Sequence, residues 1–302
     1  MPIEALRTPE NRFETLPDFP YTPHYADNLP GYEGLRAAYV DEGPADANHV
    51  FLCLHGEPTW SFLYRRMIPV FLAAGGRVVA PDFFGFGRSD KPVRDQDYSF
   101  RFHRNHLIRL IERLNLHAIT LVVQDWGGLL GLTLPIEPGM RGRIDRLLVM
   151  NTALAVGEPP SDGFLAWRAY AEANPDLPVG ALIQRSAPHL TTAEATAYDA
   201  PFPDQAYKSG VRAFPRLVMT EPGMAGITES RAARAFWAND WRGRSFMAYG
   251  AADPVLGPPV MQALWAGIRG CPEPMVIPEA GHFVQEWGEP IARAALAAWS
   301  AP

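Results

Sequence analysis

Cysteine is nearly missing from this chain: two residues in 302, Cys53 inside an apolar run and Cys271 before a proline. They lie far apart and match no metal or redox spacing, so they read as bystander thiols, and neither a disulfide framework nor a metal site is expected. Apolar runs long enough to span a bilayer are missing too. The opening Met1-Pro-Ile-Glu-Ala-Leu-Arg7 has neither a basic start nor an apolar signal core, and a cytoplasmic location is the expectation. Charge of one sign is also lacking. The formal net charge of -6 is spread over both signs without blocks. That excludes the basic footprint of a nucleic-acid or anionic-membrane binder and leaves a neutral small molecule as the expected partner. Internal repeats and low-complexity tracts are absent. Proline, by contrast, is abundant: 30 residues scattered among aromatics, which points to many fixed loops rather than disorder.

With 47% hydrophobic and 20% charged residues the composition is globular. Its length suits one core domain carrying an insertion better than two independent domains. Strand-like apolar runs at 35–41, 50–54, 77–82, 119–124, 146–151, 245–250 and 274–278 are interleaved with helical spacing at 62–72, 98–116, from about 126, and at 289–299. This order predicts an α/β fold, with a mostly parallel central sheet, helices on both faces and a ligand site beyond the carboxyl ends of the strands. Residues up to about 34 carry no period and are expected to wrap the surface. After Asn151 the rhythm breaks, with helical stretches near 164–173, 180–185 and 193–198. Residues 152–226 are therefore expected to form a helical cap domain over a core of residues 1–151 and 227–302.

The stretch Ile119-Thr-Leu-Val-Val-Gln-Asp125-Trp126-Gly127-Gly128 places a lone carboxylate where a buried strand should turn into a helix, with glycines that permit a tight turn and close packing. In the G-x-S-x-G elbow Asp125 takes the serine position, while Val123 stands where the first glycine would be. An aspartate capping the next helix is the competing reading. Asp253, in Gly250-Ala-Ala-Asp253-Pro254, and His282, in Ala280-Gly-His282-Phe283, each follow a later strand. Nucleophile, acid and base thus occur in the chain order of the α/β-hydrolases. His282 would be the base and Asp253 the group that fixes its tautomer, against a surface-loop histidine and a turn aspartate before proline. The other place for the acid, at the end of the preceding core strand, holds Asn151, which cannot ionise.

His55-Gly56-Glu57 follows a strand and offers the backbone N–H of Glu57, with that of Trp126, as oxyanion-hole donors. A carboxylate nucleophile needs no deprotonation and can displace a leaving group from a saturated carbon, forming an alkyl ester. Water activated by His282 would then attack the ester carbonyl. A halide leaving group calls for donor-only partners such as indole N–H groups. Trp126, beside the nucleophile, is one candidate. Trp167 is the second, on a predicted cap helix one turn after Phe164, which is assigned to the substrate pocket. Taken alone, Trp167 reads more readily as core packing.

His55-Gly-Glu-Pro-Thr-Trp60, Asp82-Phe-Phe-Gly-Phe-Gly-Arg-Ser-Asp-Lys-Pro92, Val123-Gln-Asp-Trp-Gly-Gly128, Ala200-Pro-Phe-Pro-Asp204 and Gly281-His-Phe-Val-Gln-Glu286 together resemble the haloalkane dehalogenases. The likeness is greatest to the subfamily typified by the dichloroethane-degrading enzyme of Xanthobacter, and it runs over nearly the whole chain. It implies an α/β-hydrolase fold with an inserted helical cap, and cofactor-free hydrolysis of short haloalkanes to alcohol and halide by a monomer. It further implies Asp125 as nucleophile, His282 as base, Asp253 as acid, Trp126 and Trp167 as the halide-binding pair, and Glu57 as an oxyanion-hole and water-positioning residue. The chain departs from the pattern between Asn151 and Phe164, where it is shorter by several residues. Two other readings stay open. Epoxide hydrolysis needs cap tyrosines, and Tyr170, Tyr198 and Tyr207 are available. A noncatalytic small-molecule receptor could use the same scaffold, although such a protein is expected to lose a triad member.

Overall fold

Runs such as Val-Phe-Leu-Cys-Leu and Ile-Thr-Leu-Val-Val have no polar side to turn toward water, so they must be covered on both faces. In the computed structural model, which describes residues 3–300, both are buried at every position and lie side by side in one sheet. The strands are β1 (Ala5–Leu6), β2 (His24–Asp27), β3 (Arg36–Glu42), β4 (Val50–Leu54), β5 (Arg77–Pro81), β6 (Lys91–Pro92), β7 (Ile119–Val123), β8 (Ile144–Met150), β9 (Arg244–Gly250) and β10 (Met275–Ile277). The main sheet has eight strands in the order β10-β9-β8-β7-β4-β5-β3-β2, and β1 pairs separately with β6. Pairing is parallel from β5 across to β10 and antiparallel where β3 meets β5 and β2. From β4 the chain first runs outward to β5 and then returns to the other side at β7. The crevice of an open sheet lies at such a reversal. The register Leu54↔Val123 brings the exits of β4 and β7 level, and so sets the loops carrying Glu57 and Asp125 next to each other.

The α-helices are α1 (Ile68–Ala73), α2 (Phe100–Arg113), α3 (Trp126–Gly131), α4 (Asp162–Ala173), α5 (Val179–Ser186), α6 (Thr192–Asp199), α7 (Ser209–Leu217), α8 (Ile227–Asn239), α9 (Pro258–Ala266) and α10 (Gly288–Ser300). Helices α4 to α7 occupy the stretch after β8. Their starts are written in the sequence: Ser161 caps α4 by accepting from the Phe164 N–H, and Thr191 with Glu194 forms a capping box on α6. Helix α8 returns to the core, where the Trp237 indole donates to the Leu132 carbonyl at 2.8 Å. Among the described residues no helix is long and apolar enough to cross a membrane.

Several elements differ from expectation. Residues up to 34 are not merely a surface wrapping, because they contain β1 and the edge strand β2. With four residues and one buried side chain, β2 is too short to show a period. The helix expected at 62–72 is broken into a 3-10 turn, Ser61–Tyr64, and α1, whose Pro69 sits in the first turn. Helices α7, α8 and α9 had no sequence counterpart, and prolines mask α7 and α9. Pro215 lies inside α7, and Pro258 and Pro259 open α9, where the missing N–H groups are not needed.

Candidate active site

The elbow forces Asp125 to φ 50° and ψ −124°, a conformation that side chains avoid and that a surrounding framework must hold. That framework is backbone on both sides. The Asp125 N–H donates to Asn151 O at 2.9 Å, and its carbonyl accepts from Thr152 Oγ1 at 2.7 Å and from the Gly128 N–H at 2.9 Å. Glycine is required where α3 meets the sheet: a Cβ on Gly127 would stand 2.0 Å from Leu54 O, and one on Gly128 2.1 Å from Thr152 Oγ1. Gly131 explains why Val123 is accepted in place of the first glycine of the elbow. A Cβ at 131 would lie 2.9 Å from Val123 Cγ1, so the clearance comes from the helix rather than the strand. The capping alternative is not what the carboxylate does, because the Asp125 side chain makes no cap hydrogen bond to α3. Its Oδ1 accepts instead from the Glu57 N–H at 2.8 Å.

His282 hangs from the loop after β10 with Nδ1 2.8 Å from Asp253 Oδ2 and Nε2 3.5 Å from Asp125 Oδ2. Asp253 is buried and fully engaged. Its Oδ1 accepts from the Val255 and Leu256 N–H groups at 2.8 and 3.0 Å, and Oδ2 also accepts from Asn151 Nδ2 at 2.9 Å. The Ser186 Oγ accepts from the His282 N–H at 3.1 Å, tying the His282 loop to α5. Burial alone would push His282 down, but the charges and hydrogen bonds of Asp253 and Asp125 outweigh it and hold the imidazole up at about 10. For Asp253 burial pulls upward, while His282 and the two backbone N–H groups win and keep the carboxyl below its ordinary range. Glu57 has no such partner. Burial, reinforced by the charge of Asp125, raises it well above the carboxylate range against the opposing charge of His282, and its Oε1 is buried and unpaired.

These groups open on a cavity of about 540 Å³. Glu57, Asp125, Trp126, Phe164, Trp167 and His282 all line it, with Asp253 behind the imidazole. Leu129, Leu182, Pro215, Val218, Leu256 and Phe283 make much of the remaining wall apolar. Trp126 is buried against Phe214, with ring centroids 4.6 Å apart, and Trp167 is partly exposed beside Tyr170. None of Tyr170, Tyr198 and Tyr207 is among the lining residues. The Tyr198 hydroxyl is committed elsewhere, donating to Glu286 Oε1 in a buried cluster with Arg65 and Glu194.

Sequence reasoning missed three polar residues of this neighbourhood. Asn151, which cannot ionise, donates to Asp253 Oδ2. His55 braces two loops, its Nε2 accepting from the Phe83 N–H at 3.0 Å. Gln124 reaches His282 directly. The available signal was a polar residue ending an apolar strand, which sequence alone does not separate from an ordinary strand exit.

The fold and this site define an α/β-hydrolase, and a family model described as the alpha/beta hydrolase fold matches residues 49–289. Among individual proteins, a haloalkane dehalogenase of Mycolicibacterium paratuberculosis is 42% identical, with 98% of each chain covered. Haloalkane dehalogenase 1 of Mycobacterium tuberculosis is 46% identical over 94% of each chain. A solved haloalkane dehalogenase from Paraglaciecola agarilytica NO2, described as tetrameric, is 54% identical and superimposes with a TM-score of 0.97, covering 99% of this chain and 100% of its own. The chain belongs to the haloalkane dehalogenase family, and its reaction is the hydrolytic removal of halogen from haloalkanes.

Proposed function

We propose that dehalogenation runs through an alkyl ester on Asp125. The carrying observation is that His282, hydrogen-bonded to Asp253 through Nδ1, brings Nε2 to 3.5 Å from Asp125 Oδ2 beside a largely apolar cavity. Oδ2 of Asp125 attacks the halogen-bearing carbon, the carbon–halogen bond breaks, and the halide leaves with the electron pair. The indole N–H groups of Trp126 and Trp167 receive it, each charge-assisted bond contributing roughly 1.5–3 kcal/mol. Oδ1, held by the Glu57 N–H, becomes the ester carbonyl oxygen. Trp126 opens α3, so its backbone N–H belongs to the unsatisfied first turn and is the second donor to that oxygen.

Esterification removes the negative charge of Asp125, and with it part of what keeps His282 protonated. The imidazole then gives up its proton and takes one from water, whose oxygen attacks the ester carbonyl carbon. The tetrahedral adduct collapses to alcohol and regenerated carboxylate, while Asp253 stabilises the imidazolium. Haloalkane and water give alcohol, halide and a proton. Glu57 stands beside Asp125 as a partner for the attacking water. Residues 152–226 act as the cap that closes the cavity, through Phe164 and Trp167 of α4. The epoxide reading is the weaker, because no tyrosine lines the cavity to protonate a ring oxygen. The receptor reading leaves the assembled triad without a purpose. Self-association is part of the proposal in place of the expected monomer, by likeness to the tetrameric relative.

A single turnover in ¹⁸O-water with enzyme in excess tests the ester route. The alcohol should carry oxygen from Asp125 and remain unlabelled, while the Asp125 peptide gains the label. A labelled alcohol over an unlabelled peptide would mean that water attacks the haloalkane directly.

A further inference from the structure

Gln124, the last residue before the elbow, is fully buried and has no part in the ester scheme. Its amide nitrogen donates to the His282 carbonyl oxygen at 3.1 Å and lies 3.0 Å from His282 Nε2. The amide oxygen is buried with no hydrogen-bond partner and sits over Gly56, where a Cβ would stand 2.7 Å from it. A carbonyl oxygen only accepts, so the contact with His282 O sets which end of the amide faces the base. Nδ1 of the imidazole donates to Asp253, and the charge of the ring is therefore decided at Nε2. A neutral Nε2 presents a lone pair to the amide N–H. A protonated Nε2 sets N–H against N–H.

We propose that Gln124 is a positioning residue of the base: anchored on the His282 carbonyl, its amide N–H faces Nε2 and favours the neutral imidazole over the imidazolium. The unpaired amide oxygen is a standing cost that a plain space-filling side chain would avoid, so the polar group has a use. It works against Asp253, from the loop after β9, and Asp125, from the elbow, both of which draw a proton onto His282. Glu57, from the loop after β4 and raised by its burial, Arg185 of α5 and Glu279 after β10 are the other titratable groups of the same cavity. Once Asp125 is esterified, only Asp253 still pulls the other way, and Gln124 tips the ring toward the base form needed for water attack. This role in turnover rests on the alkyl-ester reading.

The test is a ¹⁵N NMR titration of His282 without substrate, in an Asp125→Asn background that imitates the neutral ester. Gln124→Met should raise the midpoint by about one pH unit, a roughly tenfold gain in proton affinity. The nearly isosteric Gln124→Glu should raise it further and carries the test if the methionine variant does not fold. Unchanged midpoints overturn the proposal. In otherwise wild-type enzyme, Gln124→Glu should release its first halide and then hydrolyse the ester at least ~10-fold more slowly than wild type, the fold-change that one pH unit of proton affinity represents. Normal ester hydrolysis by that variant would also overturn it. An enzyme that never forms the ester refutes the mechanism, while the titration still decides the role of Gln124.

Discussion

In the proposed mechanism His282 is the side chain whose charge has to change for turnover to finish, and the groups that act on that charge stand around it. Asp253 and Asp125 outweigh its burial and raise it, and the proposed ester would remove the charge of one of them. Asp125→Asn copies the charge of the ester at constant size. It should therefore lower the His282 midpoint from about 10, because the hydrogen bond and charge of Asp125 both raise it, and NMR titration reads the shift directly. The linkage to folding has the same sign. Charged His282 contributes stability that is fully present below its unfolded value of 6.5 and is lost as pH rises through about 10. Urea midpoints of the wild type should thus decline above neutral pH, and the Asp125→Asn protein should lose this contribution at lower pH. Asp125, Asp253 and His282 were legible in sequence because each follows a strand and the three arrive in a chemically meaningful order. Gln124 was not, since only folding brings its amide to the imidazole 158 positions away.

At the level of elements, a buried ion cluster ties the helices after β8 to the loop that carries His282. Arg65, in the turn between the 3-10 stretch and α1, makes two bonds of 2.7 Å to Glu286, four residues beyond His282, and one of 3.0 Å to Glu194 of α6. A buried carboxylate that loses its cation is strongly unfavourable, whereas removing the pair together is much less so. Arg65→Met should cost ~3 kcal/mol in urea unfolding, the low end for a broken buried pair because Arg66 still reaches Glu286 at 3.2 Å and also Glu194, and Arg65→Met with Glu286→Leu should recover part of it. A single-variant loss under ~1 kcal/mol, the range of an exposed pair, would deny the cluster this role. Glu286 was visible only as the end of a motif, for a charged residue in a sequence does not announce a buried partner 221 positions earlier. The central strands were legible from their unbroken apolar runs. Helices α7 and α9 were not, because local proline signals outweigh periodicity in short helices.

Across the whole molecule, the sheet presents the exits of β4, β7, β9 and β10 to one side, and the helices after β8 close over them to leave the cavity of about 540 Å³. Layer order follows from the alternation of patterns along the chain. The shape of the enclosed space does not, because it depends on how α4, α5 and α7 settle on loops distant in sequence. All of this architecture serves one claim, that Asp125 becomes covalently alkylated. The most direct measurement is mass spectrometry of His282→Gln protein after incubation with a bromoalkane. The peptide carrying Asp125 should gain one alkyl group, with one bromide released per chain and no further turnover. An unmodified Asp125 peptide in protein that continues to release bromide would contradict the account.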